Sequence, residues 1–430
     1  MLVLVAGMSG ACTPAVPPDV ALEYGGVLPL PAAEQQPAAA EVAKPAKAQQ
    51  AAPLDGRDGR PMALENFRPQ PMLVVPKHRL KRAKYPVVDV HVHPRIRYRH
   101  SHDLLDEYVK IMDEQNIAVS VSLDGQLGED LQEHSTYLWS GYEERFVIFT
   151  NINFQGAGEA DDPATWDCHQ VDFPRRVSVS LARAKENGAS GLKLFKEFGL
   201  GYRNPDGSLI KIDDSRWDPI WEACGRLGLV VIMHTADPSA FFRPIDETNE
   251  RWEELHRHPE WSFYGPQWPA RSELLEARNR VIERHPKTTF ICAHMANDGE
   301  NLAEVGEWLD RYPNMYVEMA ARLAELGRQP YTAREFFIEY ADRIMFGSDG
   351  PRVRERLYPH WRFLETRDEY FPYAENPFPP QGLWNIYGIG LPDEVLKKVY
   401  YENAARIISG VQERLEMYAE RAAERTKEAQ

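Results

Sequence analysis

The run Asp89-Val90-His91-Val92-His93 constrains this chain more than any other stretch. It closes a β-branched segment. Strand side chains alternate faces with period two, so the pattern predicts Asp89, His91 and His93 on one side of a strand end. Two imidazoles at i and i+2 can grip a single divalent cation. Three later apolar runs also end on polar side chains: Val230-Val-Ile-Met on His234, Phe290-Ile-Cys-Ala on His294, and Ile344-Met-Phe-Gly-Ser on Asp349. Strand ends that deliver only metal-competent side chains call for a fold in which those ends converge.

An α/β barrel is such a fold. Short β-branched runs predict strands at 87–92, 118–123, 146–151, 191–195, 229–234, 289–293, 315–319 and 343–347. Amphipathic stretches between them predict helices near 104–114, 175–187, 217–227, 272–284, 301–311, 333–340 and 392–408. Strands alternating with helices pair in parallel through right-handed crossovers, and eight of them close a (β/α)8 TIM barrel. An open doubly wound sheet is the competitor. It would carry a Gly-rich phosphate turn after its first strand, where this chain has His93-Pro-Arg-Ile-Arg97.

A formal net charge of −15 argues against a nucleic-acid partner, which needs a basic footprint to displace counterions. The cysteines, Cys12, Cys168, Cys224 and Cys292, form no CxxC pair, so no zinc ribbon is expected. Residues 1–12 are a short apolar stretch ending in small residues before Cys12, the pattern of a lipoprotein-type signal. This reading makes the protein exported and membrane-anchored through Cys12; the competing one leaves it cytoplasmic. Residues 13–65, rich in Ala and Pro, read as a disordered linker, residues 66–412 as the barrel, and 413–430 as a charged helix, solvated or pairing two copies in a homodimer.

Aromatic-rich insertions follow strands five and eight. One contains Trp252, Trp261, Phe263 and Trp268, the other Trp361, Phe363, Phe371 and Trp384. They either wall a pocket or pack onto the barrel. Arg95 and Arg97 follow the histidine pair, where guanidinium groups either bind a substrate carboxylate or form a solvated loop. Asp89 is read as a residue that orients a ligand by hydrogen bonding. Glu318 faces either the mouth or a polar niche outside it. Lys193 and Lys196 lie three apart, so on an ideal strand only one points inward.

Five motifs, Asp89-Val-His-Val-His-Pro94, Gly191-Leu-Lys-Leu-Phe195, Ile232-Met-His-Thr235, Ile291-Cys-Ala-His-Met295 and Phe346-Gly-Ser-Asp-Gly350, resemble the amidohydrolase superfamily. The match is to the amidohydrolase-2 branch that includes aminocarboxymuconate semialdehyde decarboxylase. The resemblance implies one divalent metal ion, Zn2+ or alternatively Mn2+, held by His91, His93, His234 and Asp349. It implies that His294 polarises the substrate or holds the attacking water, and that Asp349 doubles as general acid and base. Lys193 would contact a second metal or the substrate. The implied reaction is hydrolysis of an ester, lactone or amide carbonyl by metal-activated water. The alternative is non-oxidative decarboxylation of an unsaturated or aromatic carboxylic acid. A tethered binding protein without catalysis is the third reading, and none of the expected ligand positions is empty.

Overall fold

The computed structural model describes residues 54–428 apart from 68, 375–381 and 383, so the signal-like segment and most of the linker lie outside the described residues. Residues up to Val75 form a unit of their own, in which Asp55 bridges Met62 and Arg60 pairs with Asp55. The second unit runs from Pro76.

In that second unit, parallel strands run in sequence order: β1 Val87–Val92, β2 Ile117–Ser122, β3 Phe146–Thr150, β4 Gly191–Leu194, β5 Val230–Met233, β6 Phe290–Cys292, β7 Met315–Glu318 and β8 Ile344–Met345. Each pairs with the next. The ring closes where the Val90 amide donates to Phe346 O and the Gly350 amide to His91 O. A bridge between Val92 and Gly350 completes the seam. This is the (β/α)8 barrel that the alternating pattern predicts.

The helices that cover the strands are α1 His102–Gln115, α2 Glu129–Tyr142, α3 Phe173–Glu186, α4 Asp218–Leu227, α5 Arg271–Arg284, α6 Leu302–Arg311, α7 Pro330–Glu339 and α8 Arg354–Glu365. α1 shows why these segments are helical. Ser101 caps it, accepting from the Leu104 amide, and Leu105, Tyr108, Val109 and Met112 recur on its buried face. Burying each such side chain contributes roughly 1.5–3 kcal/mol.

Two helices are absent from the sequence reading. α2 puts His134 among its buried positions, which interrupts the apolar stripe. α8 carries Pro359 in its interior. The aromatics of α8 therefore do not wall a pocket. Trp361 and Phe363 are fully buried, Trp361 stacks on Phe346 at 5.0 Å between ring centroids, and its indole donates to Gln115 of α1. Segment 392–408 is helical as expected, running unbroken from Asp393 to Ile407, with its middle, Lys398–Glu402, wound wider. The last helix, α9 Val411–Glu428, is only partly solvated: Val411, Leu415 and Tyr418 pack against the cluster that fills the barrel.

Candidate metal centre

β1 does not alternate regularly. Its register against β2 shifts between Asp89 and Val92. Val88 and Val90 join the apolar cluster inside the barrel. Asp89 pairs with Ser120, whose hydroxyl meets Tyr108 of α1, so this carboxylate lies on the helix side. The expectation that Asp89 shares a face with His91 and His93 is therefore corrected: the irregularity turns the histidines into the barrel and leaves Asp89 out. Asp89 still supports the site. It accepts from the backbone amides of His91, at 3.2 Å, and Ser348, at 3.0 Å, and from the Ser348 hydroxyl. Burial pushes its carboxyl up to about 7. The bonds tie β1 to the loop that carries Asp349.

At the strand ends, His91 Nε2 and His93 Nε2 stand 3.1 Å apart. Asp349 Oδ1 is 3.8 Å from the first and 3.7 Å from the second. All three residues are buried. Four donors at about 2.1 Å from a tetrahedral zinc lie about 3.4 Å from one another. The observed separations bracket that value. Burial, then the field of His91, holds His93 well below the ordinary range, the charge state that a metal ligand needs. His93 Nδ1 has no hydrogen-bond partner. Two imidazoles and a carboxylate suit zinc and related ions, so the residues present fit a divalent metal.

Around this triad the site is built from β4, β6 and β7. Glu318, at the end of β7, is fully buried. Its Oε1 accepts from His91 Nδ1 at 2.9 Å and from the His294 amide at 2.7 Å; its Oε2 accepts from the Ala320 amide at 2.5 Å. Burial opposes its ionisation, but the His91 field and these bonds outweigh it and hold the carboxyl below its usual range. Donation from Nδ1 to Glu318 leaves the Nε2 lone pair of His91 directed at the site. Room for Glu318 depends on Gly347, where a Cβ would lie 2.4 Å from Glu318 Oε2.

His294 sits in a left-handed turn. Residues 294–297 all have φ between 54° and 56°, and Asp349 has φ 56°. Such backbone costs energy in non-glycine residues and persists where surrounding bonds enforce it. Here Asn297 donates its amide to Ala293 O, and Arg278 donates to Ala296 O at 2.5 Å. His294 Nδ1 lies 3.0 Å from Ala320 O, a pure acceptor, so Nδ1 carries the proton and Nε2 is free to accept. Burial, then the fields of His234 and His91, holds His294 well below its ordinary range.

His234 does not join the three. Its ring is 4.4 Å from that of His294, but its Nε2 faces Asp237 Oδ1 at 3.4 Å without an aligned hydrogen bond. Burial pushes this histidine down to about 4, although Asp237 opposes the shift. Lys193 is buried with Nζ 3.3 Å from His91 Nε2, and burial lowers it to about 8. β4 ends at Leu194, so the strand rule lapses and Lys196 is buried too, paired with Asp237 at 2.6 Å. Arg95 turns away, donating to Asp130 at 2.6 Å. Arg97 donates to the backbone oxygens of Asp349, at 3.1 Å, and Gly350, at 3.2 Å, so it braces the ligand loop. Arg352, three residues past Asp349, lies 3.6 Å from its Oδ2.

Of the two insertions, the first forms an open cavity of about 720 Å³ lined by Phe242, Phe263 and Trp268. Lys196 Nζ lies 5.3 Å from the Phe263 ring centroid, one layer out from His234.

A sequence profile of the amidohydrolase family matches residues 88–409. No curated protein matches the chain. The barrel is similar to 2,6-dihydroxybenzoate decarboxylase from Rhizobium, with 16% identity over 76% of this chain and 98% of that one, at a TM-score of 0.44. A dihydroxybenzoic acid decarboxylase from Polaromonas sp. JS666, solved with manganese and 2-nitroresorcinol, gives 18% identity, 76% and 96% coverage, and a TM-score of 0.45. A probable 2-pyrone-4,6-dicarboxylic acid hydrolase from Acinetobacter baumannii, solved with citric acid, gives 12%, 75% and 98%, and 0.39. The family match spans the whole barrel and every strand end that lines the site: the chain belongs to the amidohydrolase family of metal-dependent enzymes, whose members are hydrolases or carboxy-lyases.

Proposed function

We propose that this enzyme hydrolyses an ester, lactone or amide carbonyl, with His91, His93, Asp349 and His234 holding one divalent ion, Zn2+ by preference. The spacing of the His91, His93 and Asp349 donor atoms carries this reading. His234 is the fourth member: its ring lies 4.4 Å from that of His294, and its Nε2, 3.4 Å from Asp237 Oδ1, makes no aligned hydrogen bond and would turn to the ion. A divalent ion in that position supplies Lewis-acid polarisation and makes water more acidic.

The chain's own residues do the rest. Neutral His294, with Nδ1 committed to Ala320 O, presents an acceptor nitrogen. It therefore holds a water by its O–H rather than donating to a carbonyl oxygen. Asp349 takes the proton of the attacking water and returns it to the leaving group. Arg97 fixes the Asp349 backbone, and Lys193 supplies a buried cation beside His91 that stabilises negative charge developing on substrate oxygen.

A second reading is non-oxidative decarboxylation of an unsaturated or aromatic carboxylic acid. It is favoured by the buried Lys193 and by Arg352 beside Asp349, cations that suit a carboxylate substrate. Metal content of the purified chain, followed by parallel screens of lactones and esters against phenolic and unsaturated acids, decides between them. Carbon dioxide release without any lactone or ester hydrolysis overturns the first reading.

A further inference from the structure

The segment Lys77-His78-Arg79-Leu80-Lys81-Arg82 runs along the second unit with neither helix nor strand. It is pinned at intervals. The His78 amide donates to Asp368 Oδ2 at 2.7 Å, and its ring meets Oδ1 of the same carboxylate. Leu80 packs against the apolar core, and the Ala83 amide donates to Gln115 O at 3.1 Å. The cations between these pins point outward. Lys77, Arg79, Lys81 and Arg82 are all exposed, and among the described residues none makes an ion pair or side-chain hydrogen bond. Of the acids nearby, Asp368 pairs with His78 and Arg362, and Asp393 with Lys84. In a chain of net charge −15, this is a dense positive strip whose four cations make no ion pair among the described residues.

Its position matters. His91 and His93 end β1 at the mouth, and α1 then runs back to Gln115 at the opposite end, beside Ala83 and the start of β1. Asp368 follows the last turn of α8, which likewise runs away from the Asp349 loop. The strip is therefore fixed near the end of the barrel remote from the site.

We propose that this strip docks the barrel on an anionic lipid surface, with the mouth facing away from it. A flat surface meets one face only, so the negative charge elsewhere on the molecule is not brought against it. A long nucleic acid would have to pass that charge, and residues 77–82 contain no Phe, Tyr or Trp for base stacking, while the one ring there, His78, is held by Asp368. No helix among the described residues is long and apolar enough to cross a membrane, so the contact is peripheral. Each basic side chain near an anionic surface contributes roughly fivefold in binding, so the strip contributes on the order of several hundredfold.

The test uses the full chain with Cys12→Ala, which removes any lipid, floated with vesicles of phosphatidylcholine alone or mixed with phosphatidylglycerol. The expected result is binding to the mixed vesicles only, lost at high salt, and lost when Lys77→Gln, Arg79→Gln, Lys81→Gln and Arg82→Gln are combined. Equal binding to both vesicle types, binding that survives high salt, or unimpaired binding of the combined variant overturns the proposal. So does a preference for a single-stranded oligonucleotide over the mixed vesicles. Should the combined variant melt early, the salt and lipid dependence of the parent chain still decides.

Discussion

Replacing Glu318 by Gln probes the support of the site without touching the proposed ligand atoms. The wild-type carboxylate accepts three hydrogen bonds, from His91 Nδ1, the His294 amide and the Ala320 amide. Gln has the same shape but one acceptor oxygen and one NH2 group. In its better orientation the oxygen keeps His91 and His294, and the NH2 is pressed against the Ala320 N–H. Two buried donors then face each other, each costing about 1–3 kcal/mol. The reverse orientation is worse, because it forfeits both bonds that orient the histidines. Loss of a residue that orients a metal ligand typically weakens metal affinity about 10–100-fold. Chelator competition on the purified variant reads that affinity, and melting of the metal-free protein reads the stability loss separately. Wild-type metal affinity in Glu318→Gln would show that His91 needs no partner at Nδ1, and the orienting role assigned to Glu318 would be refuted.

Asp349→Asn should lower turnover by roughly a hundredfold or more, the scale of a lost general base; near-normal turnover would place the proton elsewhere. Complete chelation should abolish turnover while circular dichroism keeps its barrel spectrum, and zinc or manganese should restore activity. Gly347→Ala puts a methyl 2.4 Å from Glu318 Oε2 and 3.1 Å from the His91 Cβ. It should cost about 1–3 kcal/mol in a denaturant titration, the usual scale of overpacking, and unchanged stability would contradict the tight packing around Glu318. Burial raises Asp124 from the ordinary 3.8 to about 6, against the opposing bonds of Ile96 and Ser122. Between those values the folded chain binds more proton than the unfolded one, so this contribution is full below about 4 and is lost as pH rises through about 6. Asp124→Asn should remove that slope from the pH dependence of stability, and an unaltered slope would refute the assignment.

The barrel was legible because its signals are local. Each β-branched run announces a strand, each amphipathic stretch a helix, and their alternation leaves few topologies. The observed strands sit within the expected ones, except that β2 starts one residue earlier, at Ile117. The helices that escaped notice carry a buried histidine, as in α2, or an internal proline, as in α8, and both features hide an amphipathic pattern. His91, His93 and Asp349 were visible as candidates because polar groups that end apolar runs are conspicuous.

Where those groups point was decided only by tertiary structure. A shift in β1 register sends Asp89 to the helix side while His91 and His93 stay inside. Glu318 ended an apolar run like the others, but only the fold shows that it meets His91, 227 positions away in sequence. The left-handed turn at His294 has no glycine to betray it, since it is imposed by bonds from Arg278 and Asn297. Periodicity along a chain reports burial and element type. It does not report hydrogen bonds between distant segments, and those bonds set the direction of each side chain at this site.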